Sequence, residues 1–295
     1  MIKNYLSNKL WLIGIKRNFS RMGFLQSLKY QRYLYKCQSA SSKKIRGLTS
    51  AVTSKFESDA YCGLNSSRSS FLAKSILKKL RSEESSNKEI WDENGRYIND
   101  IYQHFPEIHN YFEDFLSKHI KIIFQSEFKI FYGFMTRSIG KGLKPSGSML
   151  WHSDSGPGTC LNVMFCITPT NQFNGAMEFL DWKSSLEIFK SERNFLKKKE
   201  KFITNKTEKR ELLTSYYKNY INKMFKNRIE RITGDSGNTI IFRNNSLHRG
   251  GFAEIGHERI ACIFHLYPSK EKIDFEKYKL KGISKGDPYP IDPDF

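Results

Sequence analysis

The chain has 295 residues, with 49 Lys and Arg against 30 Asp and Glu, and a formal charge of +19. Its 39% apolar content, with 23 Phe and 15 Tyr, supplies a sizeable core and excludes disorder throughout. The basic excess excludes little: it suits nucleic acid, an anionic membrane surface, an anionic substrate or simply a solvated Lys-rich face.

Residues 1–56 hold no Asp or Glu and interleave Lys and Arg with Leu, Tyr and Trp11. This basic N-terminal segment reads as an amphipathic helix on an anionic membrane, as a transit-like peptide, or as a surface helix or loose tail without a partner. Its apolar run from Leu10 to Ile15 is far short of the roughly 18–20 residues that span a bilayer. Residues 57–295 are expected to form one domain, since β-barrels often exceed 200 residues as single units.

Helical spacing appears from Ser70 to Leu80, through Phe71, Leu72, Ile76, Leu77 and Leu80. It appears again from Tyr97 to Phe115, through Ile101, Phe105, Ile108, Phe112 and Phe115, with Pro106 dividing the stretch. Short β-rich runs follow at Ile120 to Phe124, Phe128 to Met135, Leu161 to Ile167, Ala176 to Leu180, Thr239 to Phe242 and Ile260 to Tyr267. Between Lys183 and Arg231 a charged stretch with helical spacing, lacking Gly and Pro, predicts a helical insertion on the barrel edge. The five cysteines (Cys37, Cys62, Cys160, Cys166, Cys262) are odd in number and form no CxxC pair, so a reducing, cytoplasmic setting is expected.

The chemistry concentrates in His152-Ser153-Asp154, His248 and Arg259. On an extended chain, residues two apart share a face, so an HxD pair can offer an imidazole and a carboxylate to one metal. A distant second His completes a set that leaves three octahedral positions open, the arrangement of non-haem Fe(II) oxygenases; zinc more often takes a closed tetrahedral set or keeps one open site. HxD alone is weak, but Trp151–Asp154 precedes Gly156-Pro157-Gly158 and a strand, while His248 closely follows the strand Thr239 to Phe242. Arg259, eleven residues beyond His248, opens an apolar run, so a hairpin can return a guanidinium to the metal's side. There it can grip a carboxylate with two hydrogen bonds.

These residues resemble the phytanoyl-CoA dioxygenase family of 2-oxoglutarate oxygenases, from about Phe56 to Pro268. Phe56-Glu57-Ser58-Asp59-Ala60-Tyr61 is similar to the family's opening stretch, Asn174 to Phe179 to its post-ligand strand, and Gly234-Asp235 to the turn before its second His. The wording Trp-His-Ser-Asp is shared with the family's ectoine hydroxylases. The resemblance implies a mainly β fold with flanking helices, a double-stranded β-helix (jelly roll, cupin-like) core with a helical N-terminal region and a helical insertion. It implies an Fe(II)- and 2-oxoglutarate-dependent dioxygenase that hydroxylates a C–H bond of a small molecule or lipid-like substrate, with dioxygen as cosubstrate and release of succinate and CO2. His152, Asp154 and His248 would hold iron, and Arg259 the far carboxylate of 2-oxoglutarate. Asp154 stands where related halogenases lack the carboxylate, which favours hydroxylation over chlorination. The family's frequent Ser two residues after the second His is Gly250 here, which shifts the anchoring toward Arg259.

Asn162 and Tyr132 are expected to line the pocket as further cosubstrate contacts, against ordinary core roles; His257 and His265 are set outside it. Two other readings stay open. One is a nucleic-acid demethylase of the same chemistry, against which the His-to-Arg interval argues. The other is a basic nucleic-acid- or membrane-binding protein using the barrel as a scaffold, against which the intact ligands argue. The expected partner is a small, possibly anionic substrate, with nucleic acid disfavoured and peripheral membrane contact through the N-terminus left open.

Overall fold

The computed structural model describes residues 24–41, 45, 50–86, 90–99, 101–142, 145, 147–154, 161–199 and 206–275. The run Leu10 to Ile15, Trp11, the Gly156-Pro157-Gly158 turn and Cys160 lie outside the described residues, as do the first 23 residues of the basic segment. Of the described residues, no helix is long and apolar enough to cross a membrane.

Helices lead the described residues. Helix α1 (Phe24–Ala40) lies on the barrel, with Tyr33 Oη donating to Pro268 O at 2.9 Å. Helix α2 (Ala51–Asp59) begins with a Ser50/Thr53 capping box, and α3 (Ser67–Ser85) with a Ser66/Ser69 box, each satisfying backbone N–H groups that a helix start leaves open. Between them runs strand β1 (Tyr61–Leu64). Helix α3 buries Ile76 and Leu80, as its spacing predicts, together with Ala73, whereas Phe71, expected on the same face, points out.

The stretch expected to be helical from Tyr97 starts instead as strand β2 (Tyr97–Ile98), because Tyr97 and Ile98 pair with Thr136 and Met135. Helices α4 (Ile101–His104) and α5 (Ile108–Tyr111) then flank Pro106, and a π-helical turn at Phe112–Leu116 leads into α6 (Ser117–Phe124). The strand expected at Ile120 to Phe124 is therefore helical. Ile120 and Phe124 stand one turn apart and are both buried, so a helical burial face overrides the β preference of the Ile-rich run. Gln125, at φ 55°, ends the helix.

Strands β3 (Glu127–Ile139), β4 (Leu161–Cys166), β5 (Glu178–Leu180), β6 (Ile229–Arg231), β7 (Thr239–Arg243), β8 (His248–Arg249) and β9 (Glu258–Ser269) complete the core. They form a six-stranded antiparallel sheet in the order β1-β7-β4-β9-β3-β2 and a three-stranded sheet in the order β6-β5-β8. Alternation assigns the faces. Leu161, Val163 and Phe165 of β4 join Ile76, Leu80 and Phe112 in the helix-backed core, whereas Met164 and Cys166 meet Phe179 of the small sheet and Met177 just before it. Both faces of β4 are thus buried, and Asn162 shares the inner face with Met164 and Cys166. The architecture is the double-stranded β-helix with flanking helices.

Two helices, α7 (Trp182–Lys199) and α8 (Lys206–Met224), leave after β5 and return at β6. The end of the expected insertion, Ile229–Arg231, is β6 itself. Ile188, Leu213, Tyr217 and Ile221 of this hairpin pack on Trp151, Leu180 and Leu247. Trp151 and Leu247 directly precede His152 and His248, so the hairpin backs both histidines.

Candidate metal centre

Strand pairing delivers the histidines. His152 and His248, far apart in sequence, form an antiparallel bridge in which each backbone N–H donates to the other's carbonyl at 3.0 Å. Their rings lie 4.4 Å apart, centroid to centroid. Asp154 is drawn to the same place by its N–H, which donates to Asn244 O at 2.8 Å.

Each imidazole is oriented by the same local device. Nδ1 of His152 lies 2.7 Å from Leu150 O, and Nδ1 of His248 lies 2.9 Å from Ser246 O. A carbonyl only accepts, so Nδ1 carries the proton and Nε2 keeps a lone pair for a metal. Both Nε2 atoms face Asp154: His152 Nε2 is 3.6 Å from Oδ1, and His248 Nε2 is 3.8 Å from Oδ2. One ligand atom from each of the three residues falls within 4.8 Å of the others. These spacings suit one ion among three donors.

The electrostatics keep His248 and Asp154 in their ligating forms. Burial, then the neighbouring His152, pushes the His248 imidazole down to about 4, against an opposing pull from Asp154. Burial pushes the Asp154 carboxyl up, but His248, His152, His265 and the Asn162 hydrogen bond outweigh it and hold the group below its ordinary range.

Asn162, from the inner face of β4, donates through Nδ2 to Asp154 Oδ2 at 2.7 Å, and its Oδ1 lies 2.7 Å from His265 Nδ1. His265, set outside the site on sequence grounds, is thus tied to the candidate ligand Asp154 through one amide. The signal was cross-strand register, Asn162 opposite His265, which sequence spacing alone does not reveal. Tyr132 stands further out. Its ring faces His265 at 6.1 Å and its hydroxyl donates to Asn99 Oδ1 at 2.9 Å, so the structure does not bring it to the three ligands. His257 is exposed and stacks on Phe173.

Arg259 is buried on β9. Its Nη1 donates to Gly175 O and its Nη2 to Ser138 Oγ at 3.4 Å, while Nε has no partner. A side chain at Gly250, two residues past His248, would place Cβ 3.5 Å from Nη2. Among the described residues no carboxylate pairs with this guanidinium. Burial pushes its pKa down, with only the neighbouring Cys166 thiol opposing, and burial in turn raises that thiol to about 12. A buried cation with an orphaned N–H and no anion fits an incoming carboxylate.

No protein-family model and no curated protein matches the chain. Solved structures do. EctD from S. alaskensis with 2-oxoglutarate and 5-hydroxyectoine aligns over 77% of this chain and 78% of that one, at 13% identity and a TM-score of 0.52. The same protein with bound Fe aligns over 76% and 79%, at 15% identity and a TM-score of 0.50. At that identity the likeness establishes the fold.

Proposed function

We propose that the chain is an iron(II)- and 2-oxoglutarate-dependent oxygenase that hydroxylates a C–H bond of a small-molecule or lipid-like substrate. The observation that carries this reading is the pairing of two features in one barrel: two imidazoles and one carboxylate aimed at a common point, and a buried guanidinium without an anion. The EctD structures hold Fe in one case and 2-oxoglutarate in another, which supports the same pairing here.

His152, Asp154 and His248 would hold the iron on one face and leave three positions for cosubstrates. With 2-oxoglutarate and dioxygen, the bound iron supplies oxidation of C–H to C–OH, with release of succinate and CO2. The protein's part is position and charge. The carbonyls of Leu150 and Ser246 fix both imidazole tautomers, Asn162 steadies the carboxylate, and Arg259 pairs with the far carboxylate of 2-oxoglutarate. The inner face beside the site, with Met164, Phe242 and Phe179, keeps water from the reacting centre. The basic surface suits an anionic substrate.

The test is anaerobic titration of the full chain with Fe(II) and 2-oxoglutarate. The weak visible charge-transfer band of the ternary complex should appear in the wild type and vanish in His152→Ala. A protein that uses the barrel only as a scaffold gives no band in either.

A further inference from the structure

The buried guanidinium has a neighbour that neither the motifs nor the metal geometry account for. Ser138 stands opposite Arg259 in the β3–β9 register, so the two side chains rise from the same face of the sheet. Ser138 is buried at 8% exposure. Its Oγ lies 3.4 Å from Arg259 Nη2, and since the guanidinium can only donate, the hydroxyl oxygen accepts. That leaves the hydroxyl proton to be given elsewhere, and among the described residues no acceptor takes it. A buried hydroxyl with an unspent proton beside an anion-less cation is one donor short of a two-donor carboxylate site.

We propose that Ser138 is the second anchor of the carboxylate held by Arg259: its oxygen steadies Nη2 while its proton is donated to the anion. The proposal rests on the reading of Arg259 as the grip on 2-oxoglutarate, and it makes Ser138 a determinant of cosubstrate choice. The pair selects a 2-oxo acid that carries a second carboxylate over a monocarboxylic 2-oxo acid. A hydrogen bond from a neutral donor to a carboxylate sets the expected effect at about tenfold in affinity. The structure also supplies a rescue. A Cβ at Gly250 would lie 3.5 Å from Arg259 Nη2 and 3.4 Å from Ser148 O, ordinary contacts that admit a serine and bring a hydroxyl beside the same Nη2.

The experiment measures anaerobic binding of 2-oxoglutarate and of pyruvate to the Fe(II)-loaded full chain, by calorimetry and by ligand-induced thermal stabilisation. Ser138→Ala should bind 2-oxoglutarate about tenfold more weakly, with Fe(II) affinity and pyruvate binding unchanged. Ser138→Ala combined with Gly250→Ser should recover most of the loss. A Ser138→Ala protein that binds 2-oxoglutarate like wild type overturns the proposal. So does one that loses pyruvate and iron in equal measure, because that pattern marks a structural residue. If the wild type binds iron but no 2-oxoglutarate, the oxygenase reading itself falls, a result distinct from either.

Discussion

Asn162 Nδ2 donates to Asp154 Oδ2 at 2.7 Å, so one oxygen of the carboxylate is held by protein while Oδ1 stays nearer His152. Hydrogen-bond partners of this kind orient a metal ligand, and their loss typically weakens metal binding 10- to 100-fold. Asn162→Ala should therefore cost roughly tenfold or more in Fe(II) affinity, read by anaerobic titration, alongside about 1–3 kcal/mol of stability in the metal-free protein, because Asp154 and His265 both lose a buried partner. If affinity holds while the fold is intact, Asn162 does not act through Asp154.

Much of this candidate centre is readable in the sequence because the residue types of its candidate ligands are distinctive. His152, Asp154, His248 and Arg259 are residue types with few other reasons to recur at strand ends in that order. The supporting residues carry no such mark. Asn162 and Ser138 are ordinary in sequence and become meaningful only through cross-strand register, which places one opposite His265 and the other opposite Arg259. The fold shows the same divide. The runs at β4 and β7 carry their burial in their composition, but Ile120 to Phe124 has β-rich composition and a helical burial face, and only its packing decides. Tyr97 likewise depends on a partner, Thr136, remote in the chain.

Glu178 links three strands at the edge of the site. It is buried and receives Arg231 Nε at 3.0 Å and Arg249 Nε at 2.6 Å, which ties β5 to β6 and to the strand bearing His248. Both arginines are partly exposed, so solvent screens the pairs and the cost of breaking them falls below that of a fully buried network. Glu178→Ala should lose about 2 kcal/mol by urea denaturation and weaken iron binding through a displaced His248. Loss of stability with wild-type iron affinity would separate the clamp from the site.

The buried His248 predicts a pH dependence for the metal-free protein. Its imidazole titrates at about 4 in the folded state, whereas the unfolded chain binds the proton near 6.5. Between those values the unfolded state carries the extra proton, so stability is full above about 6.5 and falls as pH drops toward about 4. The difference corresponds to about 3 kcal/mol. His248→Asn should flatten that decline in denaturation curves taken from pH 7.5 to 4.5. An equally steep decline in the variant would assign the effect to other groups.

The last prediction concerns a place where two backbones leave no room for a side chain. A Cβ on Gly251 would lie 2.2 Å from Ala176 O and 2.5 Å from Gly175 C, and Gly175 itself sits at φ +83° with Gly251 O 2.6 Å from its own virtual Cβ. Neither clash can be relieved by a side-chain rotation, since the opposing atoms are backbone. The approach matters because Gly175 O accepts from Arg259 Nη1, so forcing the segments apart moves an anchor of the guanidinium. Gly251→Ala should cost about 3 kcal/mol, at the upper end for single substitutions, and weaken 2-oxoglutarate binding more than iron binding. Gly256→Ala is the control: it has φ +81° and open space around its Cβ, so only backbone strain of about 1 kcal/mol applies. If Gly251→Ala costs no more than Gly256→Ala, the close approach does not govern this loop, and the link from Gly251 to Arg259 fails.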